Sequence, residues 1–262
     1  MKILHLLDPD FVVFGPYMYM IPTVFLYILL IYLILFSEHR KKFSYAFYKI
    51  FALKAGASII CVVTFEICFR LPDAPAAASF MRLLPPTGVF PKSLFVICYH
   101  NGTVMFMMEG FMSFNRATTI LLSTRHNGFW ARAMPWIYVV SAVFPLTFTW
   151  SLFFVNVTLF PDDINDDTDD RSFKMEDAPV SQDTATFYIL IALALLSLWN
   201  IVWNLYTLSY LVRRALRAFR ASSNTAKVVC DTRQFIFSFL TFLIELFTII
   251  VTVSSLNDNN KV

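Results

Sequence analysis

The chain has 262 residues, of which 58% are hydrophobic and only 15% charged, with a formal net charge of +3. Soluble domains carry roughly 45–50% apolar and about 25% charged residues, and a globule of this length must face water over much of its surface. This composition excludes a water-soluble globule. The small positive charge does not mark a nucleic-acid binder either, because the basic residues sit in short stretches between apolar runs.

Six runs, in chain order, are long enough to cross a bilayer, which takes about 20 mostly apolar residues. They are 15–36, 50–69, 93–115, 134–155, 187–212 and 235–254. Each is continuously apolar rather than alternating, so each predicts an α-helix and not a barrel strand. The expected fold is all-α, a polytopic transmembrane helical bundle forming one domain over residues 1–262. Ahead of the first span only Ile3 to Leu7 is apolar, too short for the core of a cleaved signal. The first span is therefore expected to act as an uncleaved anchor.

Most Lys and Arg residues fall in 37–49, 116–133 and 213–234. That side is predicted to be cytoplasmic, which puts both termini outside. Half of all the acids fall in the opposite segment 156–186, expected as a solvated, partly disordered extracellular loop with Pro161 and Pro179. Two readings of it stand open: an electronegative vestibule gathering cations, or a solubilising loop. Asn156-Val157-Thr158 is an N-glycosylation acceptor on that side. Asn101-Gly102-Thr103 fits the same pattern but lies inside the third span, where modification is not expected.

No P-loop, Gly-x-Ser-x-Gly, His-Glu-x-x-His or Gly-x-Gly-x-x-Gly occurs. His5, His39, His100 and His126 are scattered, and Cys61, Cys68, Cys98 and Cys230 lack metal-ligand spacing. The expectation is a protein that is not an enzyme, with no catalytic residue, metal or cofactor. Cys68 and Cys98 both fall toward the outer face, which leaves one disulfide open.

Polar residues inside spans are rare and often functional. Lys54 and Glu66 lie a turn from their helix ends and can snorkel. Glu109 and Glu245 lie deeper, with no Lys or Arg at matching depth. Each is either an uncharged carboxyl bonded across helices or a ligand or switch group. Glu109 precedes Arg116 by seven residues, so the two share a helix face, and His100 is the nearest basic residue within the same span. Asn200, Asn204 and Thr207 form one face of the fifth span, flanked by Trp199 and Trp203. That face reads as interhelical glue or as a pocket wall. His100, Asn101, Glu109, Asn200, Trp203, Asn204 and Glu245 are thus the candidate ligand or intramembrane polar residues. Beyond this span Arg213, Arg217 and Arg220 share a face if the helix continues. They fit anionic inner-leaflet lipid, at about 1 kcal/mol per basic residue, or a docking protein.

The third span ends in Ser113-Phe114-Asn115-Arg116. An Arg there is either a positive-inside anchor or a switch, held by a polar neighbour in one packing and released in another. The stretch Ser113-Phe114-Asn115-Arg116-Ala117-Thr118-Thr119-Ile120, followed by His126, Phe129 and Trp130, resembles the signature of nematode serpentine chemoreceptors of class gamma and the related class V. Ile21-Pro22-Thr23 and Leu26-Tyr27 in the first span are similar to that family too. The resemblance implies a rhodopsin-like seven-helix architecture, of which this chain lacks the last helix. It implies a plasma-membrane receptor for a small external molecule, signalling to a heterotrimeric G protein. Asn115, Arg116, Arg213, Arg217 and Arg220 would be the coupling and switch residues. Two alternatives are a transporter or cation channel, suggested by Glu109, Glu245 and the acidic loop, and a truncated form that does not signal.

Overall fold

The computed structural model describes residues 14–41, 43–161, 171–176 and 182–220. The expected sixth span 235–254, with Glu245, lies outside the described residues, as do the side chains of Arg217 and Arg220. Among the described residues four helical segments are long and apolar enough to cross a membrane: Tyr17–Leu35, Ala46–Arg70, Val89–Phe153 and Phe187–Arg214.

Helix α1 (Tyr17–Leu35) is apolar all round, and Met18, Ile21 and Phe25 stand exposed. In water so large an apolar surface is a liability; against lipid tails it is the natural exterior of a helix whose backbone is satisfied internally. Helix α2 (Ala46–Phe65) runs on through one π-helical turn, Glu66–Arg70. Its buried positions include Ala52, Ala55, Ala57 and Ser58, small side chains that let neighbouring helices approach closely.

The Tyr17 end of α1 and the Arg70 end of α2 are joined through Glu66. Tyr17 donates its hydroxyl hydrogen to Glu66 Oε2 at 2.9 Å, and Arg70 Nη1 lies 3.1 Å from Glu66 Oε1. The Arg70 guanidinium also lies over the Phe65 ring, 5.9 Å from its centroid. Glu66 is thus an anchored residue rather than a snorkelling one. Because the Arg70 side chain is 31% exposed, the ion pair alone is worth less than about 1 kcal/mol, and the Tyr17 bond matters as much. Glu66→Ala is expected to cost roughly 1–3 kcal/mol and Glu66→Gln clearly less, since an amide oxygen still accepts from Tyr17. Thermal melts in detergent check this; equal losses for the two variants would contradict it.

A run of short turns follows, ending at Gly88, whose φ of +97° is open to glycine and strained for other residues. Helix α3 (Val89–Leu122) has 34 residues, and α4 (His126–Val143) follows after a single 3-10 turn, Ser123–Arg125. The basic stretch 116–133, expected as an interhelical loop, is therefore mostly helix. The physical reason is visible: no Gly or Pro occurs between Arg116 and Asn127, so the break falls on Ser123, at φ +43°. Helix α4 stops just before Pro145, which lacks an N–H and crowds the residue ahead of it. Short helical turns Leu146–Thr149 and Trp150–Phe153 complete this segment. The last described helix, α5 (Gln182–Arg220), has 39 residues.

The acidic segment 156–186, expected as a solvated loop, contains an antiparallel hairpin. Strand β1 (Asn156–Pro161) pairs with β2 (Arg171–Glu176), Val157 opposite Met175 and Leu159 opposite Phe173. Val157 and Leu159 are both 3% exposed, so alternate residues turn inward as a half-buried strand requires. Val157 joins Cys68, Phe95 and Val155 in a core flanked by Phe69, Tyr99 and Phe173. Leu159 N–H donates to the Pro86 carbonyl at 2.7 Å. The disulfide left open between Cys68 and Cys98 is not formed: Cys61, Cys68 and Cys98 are free thiols. Cys68 is taken up by the hairpin core, while Cys98 accepts a contact from Cys61 Sγ at its carbonyl oxygen, 3.7 Å away.

The chain folds as two compact units. The first comprises residues up to Met108 together with Phe129–Leu193, and the second comprises Glu109–Gly128 with the chain from Ala194 onward.

Candidate functional site

The second unit holds the part of α3 from Glu109 onward beside α5. Its centre is Asn200, 3% exposed. Asn200 Oδ1 accepts from Ser113 Oγ at 2.5 Å and from Asn204 Nδ2 at 2.8 Å. Thr207, one turn further, turns its hydroxyl back to the Trp203 carbonyl at 2.9 Å. Asn200, Asn204 and Thr207 share a face because their spacing follows the helical repeat, and the apolar surroundings force them to find partners within the protein. Aromatic contacts flank this polar line. Phe111 meets Trp199 edge-on at 5.3 Å, and Phe114 meets Trp203 at 4.7 Å. Gly110 lies flat against Trp199; a methyl there would rest 3.9 Å from the indole.

Immediately beyond Ser113 the chain makes a second knot. Asn115 is 4% exposed. Its carbonyl receives the Thr118 and Thr119 hydroxyls, each at 2.9 Å. The bend at Ser123 returns His126 to the same place. His126 Nε2 lies 3.1 Å from Thr119 Oγ1, 3.3 Å from the Asn115 carbonyl and 3.4 Å from Asn115 Nδ2. The first turn of α4 is thereby fastened to the end of α3. Between the two knots Arg116 is half-buried and within electrostatic reach of Glu109, itself 3% exposed. Glu109, for which the sequence offers no cation at matching depth, finds one on its own helix.

The candidate polar residues thus separate into two groups. Glu109, Asn200, Trp203 and Asn204 gather in the second unit with Asn115 and Arg116. His100 and Asn101 lie in the first unit, on the wall of a cavity of about 520 Å³ between α2, α3 and α4. Arg213 is exposed on α5, which continues unbroken to Arg220. Asn156 opens β1 with its side chain exposed. Sequence reading passes over Ser113 as the donor to Asn200, over His126 as the tie between α3 and α4, and over Tyr138 and Ser141 on the cavity wall. The Ser113 partnership depends on the register of α3 against α5, which no local pattern encodes. His126 was visible only as part of a motif. Among the described residues no three His, Cys, Asp or Glu side chains gather as a metal site would need.

Apolar helices with satisfied backbones and lipid-facing exteriors define a multi-pass helical membrane protein. The family model for Srg family chemoreceptors matches residues 13–171. The chain belongs to that family, and the resemblance carried by Ser113–Ile120 holds: it is a nematode serpentine chemoreceptor. It is similar to serpentine receptor class gamma-11 of Caenorhabditis elegans, 25% identical over 150 residues. The similarity covers 55% of this chain and 43% of that relative, so the chain spans less than half the length of the relative it matches.

Proposed function

We propose that this chain is a plasma-membrane receptor that senses a small external molecule and signals to a heterotrimeric G protein. The N-terminus and the hairpin β1–β2 face outward, and the inner ends of α3 and α5 face the cytoplasm. Asn156, exposed at the start of β1, is the glycan acceptor. The observation that carries this reading is the joint of Ser113, Asn200 and Asn204, which fixes α3 to α5 one turn from Asn115 and Arg116. A ligand that alters the packing of α3 changes what this joint holds, and so changes how Arg116 is presented. The exposed Arg213 on α5 adds to the same positive face, which suits an acidic or polar partner surface.

The transporter or channel reading loses part of its motive here. Glu109 lies within reach of the Arg116 guanidinium, and a carboxylate so placed is poorly set to bind a passing cation. In cells expressing the receptor with a responsive G protein, Arg116→Ala is expected to reduce ligand-evoked signal by tenfold or more, with surface level and ligand binding kept; tenfold corresponds to about 1.4 kcal/mol of coupling. An undiminished response from Arg116→Ala would remove Arg116 from the coupling face.

A further inference from the structure

The first unit contains a cavity that the joint at Asn200 does not involve. It is bounded by α2, α3 and α4, with Leu35 of α1 at one end, and its volume of about 520 Å³ lies within the range of small-molecule sites. One face of α2 forms its floor, from Lys49 through Ala52, Gly56 and Ala57 to Ile60. These residues recur at helical spacing, and the small ones create the hollow. A Cβ added at Gly56 would meet nothing within 4 Å, so space lies directly above the floor.

His100 and Asn101 lie level with the Ile60 end of the floor, since the adjacent Cys61 Sγ reaches the Cys98 carbonyl at 3.7 Å, and Tyr138 and Ser141 of α4 add to the polar lining. Asn101 donates one of its two amide hydrogens to the Ile97 carbonyl at 2.8 Å, and Ser141 donates to the Tyr138 carbonyl at 2.8 Å. Among the described residues neither the His100 imidazole nor the Tyr138 hydroxyl makes a hydrogen bond. His100 is half-buried and Tyr138 exposed, so both polar groups are open to an occupant, and a lipid chain has nothing to offer them. An occupant carrying its own donor or acceptor does.

Charge narrows the class further. No carboxylate lines the cavity, so an amine would enter without a counter-charge. The cation at the other end, Lys49, is eleven residues from Ile60, about 16 Å along the helix. The carboxylate of a short molecule meets Lys49 or the His100 end, but not both.

We infer that this cavity binds an uncharged, mostly apolar small molecule whose single hydrogen-bonding group, such as an alcohol or ketone, sits between His100 and Tyr138. The inference rests on the receptor reading for its biological meaning, but binding itself is measured without any G protein. Full-length protein in lipid nanodiscs would be titrated with octanol, octanone, octanoate and octylamine, following its thermal midpoint. Octanol and octanone are expected to raise the midpoint, the amine not to, and octanoate to do so less. Gly56→Leu, which fills open space and leaves the fold intact, is expected to abolish the effect. His100→Phe and Tyr138→Phe are each expected to weaken it several-fold, and Phe129→Ala, outside the lining, to leave it unchanged. The inference fails if no probe raises the midpoint, if the amine matches the alcohol, if Gly56→Leu binds normally, or if mass spectrometry finds a phospholipid retained in the wild type and lost in Gly56→Leu. Binding that persists in Arg116→Ala while signalling is lost separates this site from the coupling face. Binding with no signal in any variant overturns the receptor reading and leaves the site standing.

Discussion

Trp130→Ala is expected to destabilise the receptor by about 3–5 kcal/mol, the cost of truncating a large buried aromatic residue and leaving a cavity behind it. Trp130 and Phe129 are adjacent in α4, with ring centroids 5.7 Å apart and planes nearly perpendicular, yet their fates differ. Trp130 is 2% exposed and among the largest fully buried side chains, whereas Phe129 is 41% exposed. In a bilayer the loss of water-exposed area is not the main term, because lipid tails are as apolar as the interior. What Trp130 loses is close packing, which lipid does not replace within a rigid helix bundle. Phe129→Ala removes a ring that is already largely uncovered and is expected to cost less than about 1 kcal/mol. Melting temperature in detergent and surface level in cells read the difference. Similar losses for both variants would mean that the buried placement of Trp130 is wrong.

The second large effect is expected at Asn200. Asn200→Leu conserves shape but removes the one acceptor shared by Ser113 and Asn204. Orphaned donors in a protein interior cost roughly 1–3 kcal/mol each, but interhelical bonds in membranes average nearer 0.6 and reach about 1.7. The second figure governs here, because helices separated in a bilayer still find other partners. Two bonds then give roughly 1–3 kcal/mol. A double-mutant cycle with Ser113→Ala isolates the α3–α5 bond: the double variant is expected to be less destabilised than the sum of the singles, with a coupling of roughly 0.5–2 kcal/mol. Strict additivity would show that the bond holds nothing together. In a signalling assay Asn200→Leu is expected to raise the basal signal or lower the evoked one, since the joint lies one turn from Arg116.

The class of fold was legible in the apolar runs, because a bilayer imposes a length and a continuity that few other constraints imitate. The family was legible in Asn115–Arg116 and the residues after it. The hairpin was not. Asp residues dominate the segment between its strands, and the alternation that marks β2 consists of only Phe173 and Met175 between polar neighbours. Six-residue strands give too short a period to stand out from such a background. The seven polar candidates stand out in the sequence by depth and residue type. Their separation into a joint at Asn200 and a cavity wall at His100 depends on which helix each one meets. Glu109 shows the same limit: its partner lay seven residues away on its own helix, yet only the folded geometry shows the two interacting. Ser123 offered no signal, since a serine at positive φ is set by the two helices it joins rather than by its own preference.

One consequence of the lengths of α3 and α5 concerns the speed and selectivity of docking. With 34 and 39 residues, they are about 50–60 Å long, against about 30 Å of hydrocarbon. Each therefore continues well past the lipid as rigid helix, and the tie at His126 stiffens the end of α3 further. On the proposed reading, a cytoplasmic protein arriving at these ends would meet a surface already in its final shape. It does not have to order a loop first, an expense that commonly weakens or slows association. Recognition at such a surface is set by the positions of side chains on two preformed rods, so a single misplaced charge on the incoming partner is felt at full strength.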